Sequence, residues 1–291
     1  MRTQPLKFAY AISITLCGAF LSLTCAAQEP VAQTIDIGHA RLVTHSWGEA
    51  SSREVILALP GSGGDVTRYR FLGPLFAATG YRFVAINQRG IMGSTGSLEA
   101  LTLHDLAADV IAVADALNLK QFHMMGWVFG NRTSRMLATD YPKRIASVTL
   151  IAAGGLVRAM TEPGELGRLL GEPDLKMYLA RRTLFSPATH DAVVREYVQG
   201  LNYWPGAVAA QRQANDKTPL EEWAAGGTGV LLMVMGEDDL TAPIENGHLM
   251  QAEHGERLTL VTVPGAGHAI GLEKPVSTAN AIIPFLRRHS Y

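Results

Sequence analysis

The chain is 291 residues long, 47% hydrophobic and 18% charged, with a formal net charge of −1. That is ordinary globular composition with material for one large core, in one domain or two. No basic surplus points to nucleic acid or anionic lipid. Both cysteines, Cys17 and Cys25, fall within the first 27 residues, so nothing downstream offers a disulfide framework or a cysteine nucleophile.

Residues 1–27 carry Arg2 and Lys7, an apolar run over Phe8–Leu23 and the small residues Cys25-Ala26-Ala27. This layout predicts a secretory signal peptide cut after Ala27, a mature chain in the periplasm or secreted beyond it, and no membrane contact after removal. The alternative is an uncleaved anchor, since the run is long for a signal core and short for a spanning helix. Without Arg2 and Lys7 the net charge becomes about −3.

Strand-like segments follow at Ile35–Ile37, Arg41–Ser46 and Val55–Leu59, then at Arg82–Asn87 and Phe122–Met125. Apolar residues at helical spacing fill Val66–Thr79 and Leu103–Leu117 between them. Ser147–Ala152, Val230–Met235 and Leu258–Val263 complete the strands, with late helices at Ile244–Glu253 and Ser277–Arg288. Early hairpin strands followed by alternating strands and helices predict an α/β fold, a mostly parallel sheet covered on both faces. The alternation stops between about Leu156 and Ala225. There the pattern is helical (Leu166–Leu170, Asp174–Leu184, Asp191–Leu201) and broken by five prolines. The organisation expected is a first core part at 28–155, a helical insertion at 156–225 and a second core part at 226–291.

Several strands run into sharp turns: "LALPGSGGD", "MMGWVFGNR", "LLMVMGEDD" and "TVPGAGHAI". In a parallel sheet such turns gather at the carboxyl edge, where sites form. Gly126-Trp127-Val128-Phe129-Gly130 has the outline of a G-x-S-x-G nucleophile elbow with valine in place of serine. With an acidic turn and a histidine turn following in that order, the sequence resembles the α/β-hydrolase superfamily with a helical cap, from about Ile35 to Arg288.

The resemblance implies Val128 at the nucleophile position, Asp239 as the acid (Asp238 is its neighbour and understudy) and His268 as the base. An Asp–His pair fixes the imidazole tautomer and stabilises the imidazolium formed when it takes a proton. The implied oxyanion donors are the amides of Phe129 and of Ser62, or Gly63 if the loop register shifts. Pro60 stands where many relatives carry histidine. "NQRGIMGST" looks like the family's D-x-R-G-x-G-x-S segment, with Asn87 at the acid position and Arg89 in a structural role.

Valine has no polar atom and cannot form an acyl-enzyme, so the usual two-step ester hydrolysis through residue 128 is excluded. The elbow residue normally has positive φ, which strains a β-branched side chain by roughly 1–3 kcal/mol. Either the turn has relaxed or the strain is kept. Thr133 and Ser134 lie a turn or more beyond the apex, as capping or packing residues, which leaves Ser62 as the one candidate replacement hydroxyl. Trp127, Tyr203 and Trp204 are candidate pocket residues, implying a small, partly apolar substrate or ligand. The histidines are scattered with no H-E-x-x-H spacing, so neither a metal nor any other cofactor is expected.

Three readings stay open: a hydrolase-family protein acting through His268–Asp239 without a serine, a non-catalytic ligand-binding protein, and an ester hydrolase inactivated at residue 128.

Overall fold

The computed structural model describes residues 29–291 apart from 162–164, 166–167 and 169–171. Residues 1–27 and most of the expected Leu166–Leu170 helix lie outside the described residues. Eight strands form one sheet in the order β1-β2-β4-β3-β5-β6-β7-β8. They are β1 (Val31–Asp36), β2 (Arg41–Trp47), β3 (Val55–Leu59), β4 (Arg82–Ile86), β5 (Phe122–Trp127), β6 (Ile145–Ile151), β7 (Leu231–Gly236) and β8 (Leu258–Val263). The edge strand β1 pairs antiparallel with β2, β2 pairs antiparallel with β4, and the remaining pairs are parallel.

The central strands β3, β5 and β7 are buried throughout and read as continuous apolar runs for that reason. Successive side chains serve opposite faces. Leu57, Leu59, Met124 and Leu150 pack under α2 (Leu103–Ala116) and α3 (Gly130–Asp140). Ile56, Ala58, Met125 and Ile151 pack on the other face against α1 (Leu72–Ala77). The helix α2 begins in a capping box, Thr102 with Asp105, which satisfies the amides of those two residues.

Two expectations are corrected. The strand at Ile35–Ile37 is the longer β1, whose first four residues are exposed at the sheet edge and so lack the alternation of a half-buried strand. The single helix expected over Val66–Thr79 is a 3-10 turn, Val66–Tyr69, followed by the short α1. Pro74 has no N–H to donate back along a longer helix and is tolerated only in a first turn.

Among the described residues no strand occurs between β6 and β7. The chain instead forms a 3-10 turn at Pro173–Leu175 and the helices α4 (Lys176–Leu184), α5 (Asp191–Gln199), α6 (Pro205–Lys217) and α7 (Leu220–Trp223). The second core part adds α8 (Glu245–His254), α9 (Ile270–Glu273) and α10 (Pro275–Arg288). Leu179 and Leu184 of α4 share a core with α10, and Ala210 and Ala214 of α6 share one with α2. The insertion therefore rests on both flanks of the sheet's carboxyl edge.

Candidate functional site

Val128 follows β5 with φ of +54°, so the elbow keeps its sharp turn with a β-branched residue in the left-handed region. The neighbouring glycines explain why. A Cβ on Gly130 would overlap the carbonyl oxygen of Leu59, and one on Gly126 would overlap the backbone of Gly130. Strand, turn and helix therefore approach closer than any side chain allows. The turn is also tied to the end of β6, where Val128 N–H (3.1 Å) and Asn131 Nδ2 (2.9 Å) both donate to the Ile151 carbonyl. The strain is kept because this packing imposes it.

The acidic and histidine turns meet beside the elbow. His268 Nδ1 lies 2.8 Å from Asp239 Oδ2 and 3.1 Å from Oδ1, with the residues only 5% and 3% exposed. Asp239 Oδ1 also accepts the amides of Thr241 (2.9 Å) and Ala242 (2.7 Å), which fix the carboxylate. Its neighbour Asp238 turns away and accepts from Ser186 Oγ of the insertion. Trp127 Nε1 donates to the His268 carbonyl at 3.2 Å, so the residue before the elbow positions the histidine loop.

Glu273 clasps the insertion to that loop. Its Oε1 accepts from Ser186 N (2.7 Å) and Thr189 Oγ1 (2.6 Å), and its Oε2 from Gly267 N (2.8 Å). Burial pushes the Glu273 carboxyl above its ordinary value, the bonds from Thr189, Ser186 and Gly267 pull it down, and the nearby Asp239 charge raises it further.

The glycine-rich loop after β3 faces the elbow. Of its two candidate donors, the Gly63 amide is committed to Gln211 Oε1 (3.0 Å), which also accepts from Ser62 Oγ (3.0 Å). Gln211 sits on α6 and donates to Gln88 Oε1 at 2.6 Å. The register with Gly63 as donor is corrected on this point, while the Ser62 and Phe129 amides bond to no described residue. Gly63 has φ of +61°, and a Cβ there would lie 2.6 Å from Val208 Cγ2, so only glycine fits beneath α6.

These parts line a cavity of about 290 Å³, reached by Val128, Trp127, His268 and Ser62. Val128 and Trp127 thus stand with the base, as the motifs require. Tyr203 and Trp204 do not line it. Tyr203 is 48% exposed and borders a separate outer depression, because Pro205 starts a new helix and leaves the preceding residues on the rim. The apolar lining comes instead from Leu184, Tyr197, Leu201 and Val208. Thr133 and Ser134 are fully buried, accepting from Gln88 Nε2 and donating to the Gly130 carbonyl respectively. Neither hydroxyl reaches the cavity.

Sequence reasoning missed Arg68, Arg212 and Gln211. The first hides in what looks like a continuous helix. The others sit on α6, which Pro205 at its first turn and the alanines at 207, 209, 210 and 214 could have signalled. Arg89 makes paired bonds of 2.7 Å to Asp109 on α2 and holds the loop after β4 to that helix. Asn87 accepts the Val66 amide at 2.8 Å next to the fully buried Asp65, where a neutral acceptor avoids placing a second carboxylate. Among the described residues no cluster of His, Cys, Asp or Glu suits a metal ion.

The topology and the order of the turns define an α/β-hydrolase fold, and residues 54–192 match the profile of the alpha/beta hydrolase fold family. Over that stretch the chain is similar to the α/β-hydrolase superfamily, whose fold it shares. It is 25% identical over 270 residues to the dihydrolipoyllysine-residue acetyltransferase component of the acetoin cleaving system of Pseudomonas putida, covering 90% of this chain and 71% of that protein. It is 26% identical over 265 residues to the 2-hydroxy-6-oxo-6-phenylhexa-2,4-dienoate hydrolase of Comamonas testosteroni, covering 83% and 91%. The thermophilic esterase of Thermogutta terrifontis shares the fold with a TM-score of 0.72 at 19% identity, over 90% of this chain and all of that one.

Proposed function

We propose that this chain is a hydrolase-fold protein that works without a serine, its His268–Asp239 pair acting as general base on a small, partly apolar ligand in the cavity. The observation that carries the reading is the buried 2.8 Å contact between His268 and Asp239 beside an elbow that holds its shape around a valine. With Nδ1 held by Asp239, Nε2 is the nitrogen free to take a proton. In ester hydrolysis that proton comes from a water. The water oxygen bonds to the acyl carbon, the amides of Ser62 and Phe129 stabilise the oxyanion, and the protonated Nε2 returns its proton to the departing alkoxide. No bond to residue 128 forms at any step. Relatives such as the Comamonas enzyme, named for hydrolysis of a phenyl-bearing dienoate, support a small substrate of mixed polarity.

As further parts of the proposal, residues 1–27 serve as an export signal and 156–225 as the cap. Mass determination of the mature N-terminus tests the first: a start at Gln28 is expected, and an intact Met1 sinks it.

The activity test is turnover of short acyl esters by the parent, Val128→Ser and His268→Ala. Parent turnover that disappears in His268→Ala is the expected result. Turnover in Val128→Ser alone means a frame that lacks only its nucleophile, and the serine-free claim fails. Silence from all three leaves ligand binding as the function of the cavity.

A further inference from the structure

Arg68 is carried by the 3-10 turn after the glycine-rich loop and is 95% buried, at 5% exposure, yet it lines the cavity. Its guanidinium lies 4.3 Å above the Tyr197 ring. It forms no ion pair and no side-chain hydrogen bond with any described residue. The other buried arginine among the described residues, Arg135, donates to the backbone carbonyls of Asn131 and Ala224. A buried cation needs a counter-charge or several acceptors, and one aromatic face supplies only part of that. A second guanidinium, Arg212 of α6, reaches the same cavity from its outer side, and its side chain likewise forms no ion pair or hydrogen bond with any described residue. Among the described residues no aspartate or glutamate lines the cavity, and Asp239 stands behind His268 with both oxygens engaged.

We infer that the cavity recognises a small carboxylate with an apolar body. Its anionic group is held by Arg68, with Arg212 closing over it, and its body lies among Leu184, Leu201 and Val208 towards His268. Guanidinium matches a carboxylate with two parallel N–H donors, and removal from water strengthens the pairing. The inference rests on the reading of this cavity as the ligand site, but not on turnover. It also explains the turn's construction: the Asp65 cap and the Asn87–Val66 bond fix the backbone from which Arg68 projects.

The test is calorimetric titration of phenylacetate, 4-phenylbutyrate and hexanoate, each against its primary amide, into the parent, Arg68→Gln, Arg68→Lys and Arg212→Gln. At least one carboxylate is expected to bind about tenfold or more tightly than its amide. Arg68→Gln abolishes the preference, Arg68→Lys keeps part of it, and Arg212→Gln reduces it less. A panel in which no carboxylate outbinds its amide overturns the inference, as does a preference unchanged in Arg68→Gln. If Arg68→Gln does not fold by circular dichroism, Arg68→Lys decides, and an undiminished preference there is the contradicting result.

Repeating the titration in His268→Ala separates this inference from the catalytic reading. A preference that survives there, whatever happens to turnover, places the anion on Arg68. A preference lost in His268→Ala but intact in the Arg68 variants places it on the histidine and overturns the inference.

Discussion

Two turns meet under the insertion, and they treat their polar atoms differently. At the acid–base turn Asp239 has both oxygens engaged, His268 has one ring nitrogen fixed, and Glu273 ties the loop to the insertion through three donors. At the elbow the apex side chain is apolar, and Asn131 Oδ1 is buried without a partner among the described residues. The first turn owes its geometry to side-chain chemistry. The second owes it to backbone packing, because Gly126 and Gly130 fit strand to helix whatever residue stands between them. An elbow shaped by the backbone can lose its nucleophile and keep its form.

The sharpest way to break that contrast is to put the missing group back. Val128→Ser places a hydroxyl on a preformed turn, and ester turnover at least about 10³-fold above the parent's is expected if the acid–base turn is competent. Asp239→Asn in that background is expected to lower kcat by on the order of 10⁴, by favouring the wrong imidazole tautomer. A loss below tenfold would detach Asp239 from the chemistry.

Gly130→Ala attacks the backbone half. The overlap with the Leu59 carbonyl is expected to destabilise the chain by about 3 kcal/mol or more in urea unfolding. Gly229→Ala, where an added Cβ meets nothing, stays within about 0.5 kcal/mol. Equal effects at the two sites would refute the packing account. Val128→Asn sharpens the same point. Asparagine tolerates positive φ, so the variant is expected to be no less stable than the parent despite its lost apolar contacts.

The smallest effect concerns pH. Burial raises the Glu273 carboxyl in the fold above its ordinary 4.5. Between 4.5 and that raised value the folded state binds more protons than the unfolded one, so stability falls as pH rises through the window and levels off above it. Glu273→Gln, which has no titrating carboxyl, is expected to lack that fall. Identical pH profiles in urea unfolding would contradict the assignment.

Much of this was legible in the sequence. Continuous apolar strands, the chain order of elbow, acid and histidine, and a helical stretch breaking the alternation all fix local physics that tertiary contacts do not override. What stayed hidden depends on approach between distant segments. Arg68 stands in a pattern that reads as one helix until Pro74 limits it. Gln211 captures the Gly63 amide across 148 positions, and no local spacing signals that. Tyr203 and Trp204 read as pocket aromatics from the sequence, whereas neither lines the cavity and Tyr203 borders a separate outer depression.

The central claim is that the acid–base turn is ready to activate a nucleophile, water in the parent and a hydroxyl where one is placed at the apex. A fluorophosphonate probe, which labels only an activated hydroxyl, tests it most directly on the parent, Val128→Ser and Val128→Ser combined with His268→Ala. The account predicts labelling at residue 128 in the single variant and none in the other two. An unlabelled Val128→Ser, or a parent labelled at Ser62, would contradict it.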